Sequence, residues 1–475
     1  MSRIAYHTLG CKLNFAETST YRRGLEAAGC TTVPWSAEAD VYVLNSCAVT
    51  TVAEKKSRGL VRGVHRRCPA ARIVVTGCYA ALRPDEIRAI EGVALVLTDK
   101  EKTELVPRTL ELLAASSLRA EGFSGRNLVG AVPAPDGSES VELLQAGVAD
   151  VSKSPAVRTG PKEGLREQTH EIGLLGASAR RPEAADTTML PAFSAGDRTR
   201  SFLKVQDGCD NFCAYCTVPF ARGRSRNLPL CEIVRQAEAI AAKGVKEIVL
   251  TGVNTGDFGR STGESFLDLL KALNGVEGIA RYRISSIEPN LLTEEIIDWI
   301  ASGTKFLPHF HIPLQSGSDW VLKNVGRRYD TALFASRIDR IREKMGDKVF
   351  FGIDVIAGLP GETEERFEEG YRFLAERIRP AYLHIFPYSP RPGTRAAKMP
   401  DQVQDRVKTE RVARLEALCE DLHAAFVASC KGLHETVLWE AAEKDGKMEG
   451  YTGNYIRLER AYDPALAGQL EDIII

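Results

Sequence analysis

Strand-like and helix-like segments alternate in two long runs along this 475-residue chain, and that rhythm restricts its fold more than any other feature. In residues 1 to about 112, short apolar strands are expected at Ile4–Thr8, Val41–Asn45, Ile73–Thr76 and Ala94–Leu97. Helical patterns follow them at Glu17–Ala28, Val52–Arg67, Pro84–Ile90 and Glu104–Ala114. The rhythm returns with strands at Phe202–Gln206, Glu247–Thr251, Tyr282–Ser286, His309–Pro313, Phe350–Ile356 and Tyr382–Phe386, each followed by a helical stretch. Such α/β alternation builds parallel sheets, because the chain needs a crossover before it can start the next parallel strand. The first run predicts a doubly wound parallel sheet. The second predicts an open, partial (β/α)6 barrel with ligands at the carboxyl ends of its strands.

Residues from about 115 to 197 break the pattern. Their only aromatics are Phe123 and Phe193, they lack cysteine, and Ser, Gly, Ala, Pro and charge dominate. A segment like this buries little apolar surface against its ordering entropy, which predicts a mostly disordered insertion or linker with a short helix around Val141–Gln145. After the barrel, a long amphipathic helix from about Gln402 to Lys431 leads into strand-like segments at Thr436–Glu440, Lys447–Thr452 and Tyr455–Glu459. Gly450 and Gly453 mark turns, and Glu471-Asp472-Ile473-Ile474-Ile475 reads as a final edge strand. A small C-terminal β-barrel is expected. The domain limits are then 1–114, 115–197, 198–431 and 432–475.

Two groups of three cysteines carry the chemistry. Cys209-Asp210-Asn211-Phe212-Cys213-Ala214-Tyr215-Cys216 is a CxxxCxxC, able to ligate three irons of a [4Fe–4S] cube and leave the fourth open. Zinc is the competing reading, but a tetrahedral site wants a fourth Cys or His nearby. The nearest downstream thiol, Cys231, lies in an expected helix (Leu230 to Ala242), and no His is close. Cys11, Cys47 and Cys78 each stand just after an expected parallel strand, one βα unit apart, so they converge at one sheet edge. Free cysteines also pack as small hydrophobes, yet three at three successive strand ends favour a shared ligand. Cys30, Cys68, Cys231, Cys419 and Cys430 fit no ligand pattern and read as packing residues.

Composition narrows the setting. Eleven cysteines without a secretory signal read as metal ligands and free thiols, not disulfides, in a cytoplasmic protein. No apolar run approaches the roughly 18 residues of a membrane span. With 62 basic and 63 acidic residues there is no global basic field, so any RNA contact must come from local patches.

The motifs resemble those of the radical S-adenosylmethionine (SAM) methylthiotransferase family. Thr8-Leu9-Gly10-Cys11-Lys12-Leu13-Asn14, Asn45-Ser46-Cys47-Ala48-Val49-Thr50 and Val75-Thr76-Gly77-Cys78 look like the three signatures of its N-terminal domain. The CxxxCxxC, followed by Thr217 to Arg226, looks like its radical SAM loop. The similarity covers about 1–112 and 198–475, and the insertion at 115–197 is its departure. The resemblance implies two [4Fe–4S] clusters, one on Cys209, Cys213 and Cys216, which binds and cleaves SAM, and one on Cys11, Cys47 and Cys78, which holds the sulfur to be delivered.

By the same resemblance, Thr251 and Gly252 after the second barrel strand face the SAM amino group, although a plain strand-to-loop turn also needs that Gly. Glu288 is placed to meet the ribose, or equally to sit at a helix start where the dipole favours it. Gln315 ends the fourth strand as a hydrogen-bonding partner of ligand. Ile356 and Gly358 resemble the superfamily's adenine-contacting strand, while Glu362 and Thr363 read as caps of the next helix. Arg222 is a candidate for the SAM carboxylate or the substrate.

Arg198, Arg200, Lys204, Arg222, Arg224 and Arg226, with Arg327 and Arg328, form a local basic group suited to phosphates, or a solvated face. The tail resembles a TRAM domain, in which Tyr451, Tyr455 and Arg457 either stack on unpaired bases or serve the barrel. The resemblance implies a tRNA methylthiotransferase acting on C2 of an adenine in the anticodon loop, with an electron donor such as flavodoxin or ferredoxin, a sulfur source and no membrane. Cys11-Lys12-Leu13-Asn14 looks most like the branch acting on N6-threonylcarbamoyladenosine at position 37. The isopentenyladenosine branch typically has Gln-Met-Asn after the first cysteine, and the branch modifying a ribosomal-protein aspartate has Pro-Lys-Asn. A non-catalytic iron–sulfur RNA-binding protein is the reading from another class, and it predicts no SAM cleavage.

Overall fold

The first run forms five parallel strands, β1 Arg3–Thr8, β2 Thr31–Val33, β3 Val41–Ser46, β4 Arg72–Gly77 and β5 Val93–Val96, in the order β2-β1-β3-β4-β5. The computed structural model describes residues 1–120, 189–196 and 198–475. β3 is buried along its whole length, as a central parallel strand covered on both faces must be. Its apolar run Val41-Tyr42-Val43-Leu44 supplies that burial. β2 is absent from the sequence-based expectation because Thr31 and Thr32 are exposed and the strand spans three residues only. The helix Thr51–Arg67 begins where Thr50 accepts the amide of Ala53 (3.2 Å), and its last turn carries His65, Arg66 and Arg67 against the negative helix end.

Six further parallel strands form the barrel, in two three-stranded sheets. β6 Ser201–Lys204, β7 Glu247–Thr251 and β8 Arg281–Ile284 make one; β9 His309–Gln315, β10 Phe350–Ala357 and β11 Tyr382–Pro387 make the other. A parallel bridge between Tyr282 and Phe306 and a hydrogen bond from the Ile287 amide to the His311 carbonyl (3.1 Å) join them. Period-two alternation then decides what faces where. Phe310, Ile312 and Leu314 of β9 and Phe351, Ile353 and Val355 of β10 enter the main core under the helices. His309, His311 and Gln315, with Gly352, Asp354 and Ile356, line cavities.

Both edges of this open barrel are covered, which removes a pairing hazard. The amides of Ser194 and Lys204 bond the carbonyls of Phe202 and Ala192 across β6, and Met189 and Ala192 are buried. At β11, the helix Asp405–Ser429 brings buried Cys419 against Leu383 and His423 against Ala381. Of the stretch 115–197, the helix Leu105–Ala120 and residues 189–196 are therefore built elements. Its residues 121–188 and Asp197, with the short helix expected at Val141–Gln145, lie outside the described residues.

The C-terminal strands β12 His434–Lys444, β13 Lys447–Tyr451, β14 Arg457–Ala461 and β15 Leu470–Ile474 form an antiparallel half-barrel in the order β14-β13-β12-β15. The end of the chain is an edge strand, as the sequence implies. Two arginines of β8 fasten this sheet to the barrel. Arg281 donates to the carbonyls of Thr436 and Tyr451 (both 2.9 Å), and Arg283 to those of Gly453 (2.8 Å) and Thr452 (2.6 Å). Buried Glu247 of β7 pairs with both guanidiniums, at 2.6 and 2.8 Å. Among the described residues, no helix is long and apolar enough to cross a membrane.

Candidate active site

Cys11, Cys47 and Cys78 follow β1, β3 and β4, which are neighbours in the sheet, so their carboxyl ends lie side by side. The strand order reverses between β1 and β3, where a doubly wound sheet opens its ligand crevice. Gly10 and Gly77 precede two of the cysteines at φ +103° and +93°. A Cβ on Gly10 would stand 3.1 Å from Cys47 Sγ, and one on Gly77 would stand 2.4 Å from Asn45 Oδ1. The glycines thus let the three loops close on one another. Asn14 Nδ2 ties two of them by donating to the carbonyls of Leu9 (2.9 Å) and Ser46 (3.1 Å). Burial pushes the Cys47 thiol up to about 11, with Cys78 and Cys11 adding to the rise. Burial also raises Cys78, with the positive charge of the Arg222 guanidinium opposing the rise.

Arg222 is therefore beside the N-terminal thiols and not in the wall of either cavity described below. It is buried among Asp207 (2.8 Å), Glu17 (3.2 Å) and Asn14. Lys204 pairs with Glu17 (2.8 Å) and Asp207 (2.6 Å), Lys102 with Glu17 (3.0 Å), and Arg226 with Asp99 (2.7 Å). Four cations here meet three carboxylates, Glu17, Asp99 and Asp207, so one positive charge is left over next to the thiols. The reading of Lys204 and Arg226 as phosphate ligands is corrected: both are buried, and a buried cation needs a fixed anion. Arg327 is also enclosed. Arg198 and Arg224 remain exposed.

The CxxxCxxC occupies the loop between β6 and the short helix Val218–Arg222. Each of its sulfurs accepts a hydrogen bond: Cys209 from the Asn211 amide (3.5 Å), Cys216 from the Val218 amide (3.4 Å) and Cys213 from Arg327 Nη1 (3.2 Å). Burial pushes the Cys209 and Cys216 thiols up to about 12. Donors aimed at sulfurs that burial keeps protonated suit thiolates held by a metal group, whose charge removes the protons. Among the described residues, only His311, Asp354 and His384 bring three ligand atoms within 4.8 Å of one another. A single tetrahedral zinc would need sulfurs about 3.8 Å apart. Among the described residues, neither cysteine triad brings its three sulfurs that close.

Two cavities lie on the inner face of the barrel. One, of about 200 Å³, is lined by Cys216, Thr217, Gln315, Asp354 and Ile356, and by Val49 and Thr50 just after Cys47. The other, of about 610 Å³, is lined by Cys11, Lys12, Thr251, Gly252, Ser285, His309, His311, His384, Tyr451, Tyr455 and Arg457, among others. The layer between them is His311, Asp354 and His384, with His311 Nε2 and Asp354 Oδ1 2.6 Å apart. Asp354 belongs to the smaller cavity and the two imidazoles to the larger. A β-bulge at Leu314, with Gln315 at φ +71°, re-aims the Gln315 side chain.

The remaining candidates fall in different places. Glu288 accepts from Asn211 Nδ2 (2.8 Å) and pairs with Arg327 (2.7 Å), so it braces the cysteine loop. Gly358 lines neither cavity: a Cβ there would meet Lys408 Cγ at 2.4 Å, and its amide donates to Glu362 (2.8 Å). Thr363 caps the next helix, whereas Glu362 pairs with Arg411 (2.9 Å). His309 and His384 were not singled out by sequence reasoning, although His309 and His311 alternating with Phe310 and Ile312 was the available signal; Lys12 entered only as part of the motif Cys11-Lys12-Leu13-Asn14. All eleven cysteines are free.

Residues 203–374 match the radical SAM superfamily, and residues 3–98 match a family described as uncharacterized protein family UPF0004. The chain is 37% identical to the threonylcarbamoyladenosine tRNA methylthiotransferase MtaB of Bacillus subtilis (strain 168), over 96% of this chain and 90% of that one. It is 33% identical to the protein of the same name from Thermotoga maritima, over 97% and 91%. It is 29% identical to the tRNA-2-methylthio-N(6)-dimethylallyladenosine synthase of Geobacter metallireducens, over 98% and 94%.

Proposed function

The chain belongs to the family of radical SAM tRNA methylthiotransferases, and we propose that its substrate is N6-threonylcarbamoyladenosine at position 37 of tRNA, converted to the 2-methylthio derivative with two [4Fe–4S] clusters. The observation that carries this reading is that Cys216 and Cys11 stand in the walls of two cavities separated by one layer of side chains. Bound at Cys209, Cys213 and Cys216, the first cluster supplies the electron that cleaves SAM. Gln315 and Ile356 then border the SAM molecule next to Cys216, and Asn211, Glu288 and Arg327 hold the loop in shape. Cys11, Cys47 and Cys78 would hold the second cluster, which would carry the transferable sulfur, and Cys11 lines the larger cavity. Tyr451 and Tyr455, with ring centres 5.0 Å apart, offer the adenine a stacking surface there.

The balance is simple. One SAM would give its methyl group to sulfur and leave as S-adenosylhomocysteine. The second, on taking one electron, would leave as methionine and as 5′-deoxyadenosine carrying the C2 hydrogen. The C2–S bond would form as the sulfur's bond to the group held by Cys11, Cys47 and Cys78 breaks, with the released electron staying on that group. A flavodoxin or ferredoxin supplies the electron, and a separate sulfur source reloads the site.

Mass spectrometry of nucleosides from tRNA of a strain lacking this gene tests the proposal. Loss of 2-methylthio-N6-threonylcarbamoyladenosine with build-up of its unthiolated precursor is expected. An unchanged profile would overturn the substrate and move attention to a ribosomal-protein aspartate. Cys213→Ala should abolish 5′-deoxyadenosine release with SAM and dithionite, whereas Cys47→Ala should spare release and stop sulfur insertion. Methylthiolation by Cys47→Ala protein would sink the two-cluster scheme.

A further inference from the structure

The larger cavity contains an unmatched charge. Of its described lining residues, two are basic side chains, Lys12 and Arg457, and none is a carboxylate; burial pushes the Lys12 ammonium down from its ordinary value, as expected of a cation without a fixed anion. Arg457, at the rim, is exposed and pairs with Glu449 (3.2 Å). Lys12 is only partly exposed and makes no hydrogen bond or ion pair with any described residue. The groups that favour its charge are the Tyr455 hydroxyl, which accepts from Arg200, and then Asp354, which is committed to His311 at 2.6 Å. Around Lys12, Arg200 and Arg283 add positive field, but both are taken up by Glu440 and Glu247. A lysine that has left bulk water this far without a partner marks a place where an anion arrives with a ligand.

Two further groups in the same wall also lack a partner among the described residues. Ser285 Oγ and His309 Nδ1 are buried without a hydrogen-bond partner, in residues 6% and 9% exposed. His309 and His384 both feel the Lys12 charge, which places the ammonium on their side of the cavity. Rings of Tyr455, His309 and Phe350 meet there, with centres 4.7 Å (His309 to Tyr455) and 5.5 Å (Phe350 to Tyr455) apart. The cavity therefore offers an aromatic surface for a base, one cation without a partner among the described residues, and uncharged hydrogen-bonding groups.

We propose that Lys12 is the specificity-determining residue of this enzyme, receiving the carboxylate carried by the N6 substituent of the target adenosine, with Ser285 and His309 available to the neighbouring polar groups of that substituent. This rests on the threonylcarbamoyladenosine reading above. RNA phosphates are the other anions at hand, but they track the outside of the strand, whereas Lys12 lines an inner wall next to Cys11. An N6 substituent enters with the base. An unpaired lysine also acts against an apolar isopentenyl group, which would bury the charge and leave it unsatisfied.

The test uses the full-length reconstituted holoenzyme and anticodon stem–loop RNA carrying either N6-threonylcarbamoyladenosine or its methyl ester. The ester removes the carboxylate charge and leaves every phosphate in place. Binding is read by fluorescence anisotropy. The wild-type protein should bind the acid about 10- to 100-fold more tightly than the ester, the range of one charge-assisted hydrogen bond. Lys12→Met should weaken the acid by that factor and leave the ester unchanged, and Lys12→Arg should keep most of the preference. Equal weakening of acid and ester by Lys12→Met would overturn the proposal in favour of a phosphate contact. An acid preference that survives in Lys12→Met would overturn it too, while leaving the substrate intact. If the wild-type protein binds acid, ester and unmodified adenosine alike, the threonylcarbamoyl reading itself fails. That arm uses no variant, so it stands if Lys12→Met does not fold.

Discussion

Arg222, on the short helix after the CxxxCxxC, donates to Glu17 of the N-terminal helix Lys12–Ala27 at 3.2 Å. The contact joins the two cysteine-bearing regions through a buried carboxylate that also holds Lys102 and Lys204. Removing one partner from such a group leaves uncompensated charge, at a cost of about 3–5 kcal/mol. Glu17→Gln should lower stability by that order in urea denaturation and loosen the N-terminal region from the barrel. The exposed pair Arg406–Glu410 (3.7 Å) is the control: Glu410→Gln should cost less than about 0.5 kcal/mol. Equal effects would show that the buried network contributes no more than a surface ion pair.

Acid should probe the same network. Burial pushes the Glu17 and Asp207 carboxyls up, but Lys102, Lys204 and Arg222 together outweigh it and hold both below the usual carboxylate range. A depressed folded pKa contributes stability that is complete above the unfolded value, ~4, and is lost as pH falls through the folded one. Stability should therefore decline below about pH 4, and Glu17→Gln should flatten that decline. An unaltered slope in the variant would exclude Glu17 as a source of acid sensitivity.

Much of this architecture was legible because each legible feature is local. The βα rhythm located all six barrel strands, and the turn glycines Gly10 and Gly77 stood next to the cysteines they serve. The basic group was misread because Lys204, Arg226 and Arg327 look alike in sequence whether solvated or buried. Their partners Glu17, Asp99 and Glu288 are far along the chain. Residues 189–196 were hidden for a related reason: Met189, Ala192 and Phe193 are too few to signal a core, yet they suffice to cover one strand edge. Lys12 was quoted as a letter in a motif, and only the cavity shows that its charge is unmatched.

His384 should be a neutral imidazole at working pH. Burial first, then the charges of His311 and Lys12, push its pKa down to about 4, with Asp354 opposing. Because that lies below the unfolded value of ~6.5, the unfolded chain takes up the proton first. The stability it contributes is complete above pH 6.5 and is lost as pH falls toward 4. Imidazole nitrogen shifts of selectively labelled protein should show neutral His384 from pH 6 to 8. Titration near the free-histidine value would mean that the partition between the cavities is open to water.

Arg327 should tune the cysteine loop that it touches. Its Nη1 donates to Cys213 Sγ (3.2 Å), its Nη2 pairs with Glu288 (2.7 Å) and its Nε donates to the Tyr329 hydroxyl (3.0 Å). Hydrogen bonds and positive charge at a ligand sulfur favour the reduced, more negative state of a cluster. Arg327→Met should make the reduction midpoint of the reconstituted protein more negative by roughly 40–130 mV. That is an ~1–3 kcal/mol charge-assisted bond converted at 59 mV per tenfold for one electron. Arg327→Lys should fall between, because it keeps the charge and loses the fork geometry. The readout is a redox titration followed by electron paramagnetic resonance, with iron content as the check on loading. A midpoint unmoved in fully loaded Arg327→Met protein would reduce Arg327 to a brace for Glu288. Release of 5′-deoxyadenosine would then fall only as far as the loop loses its shape.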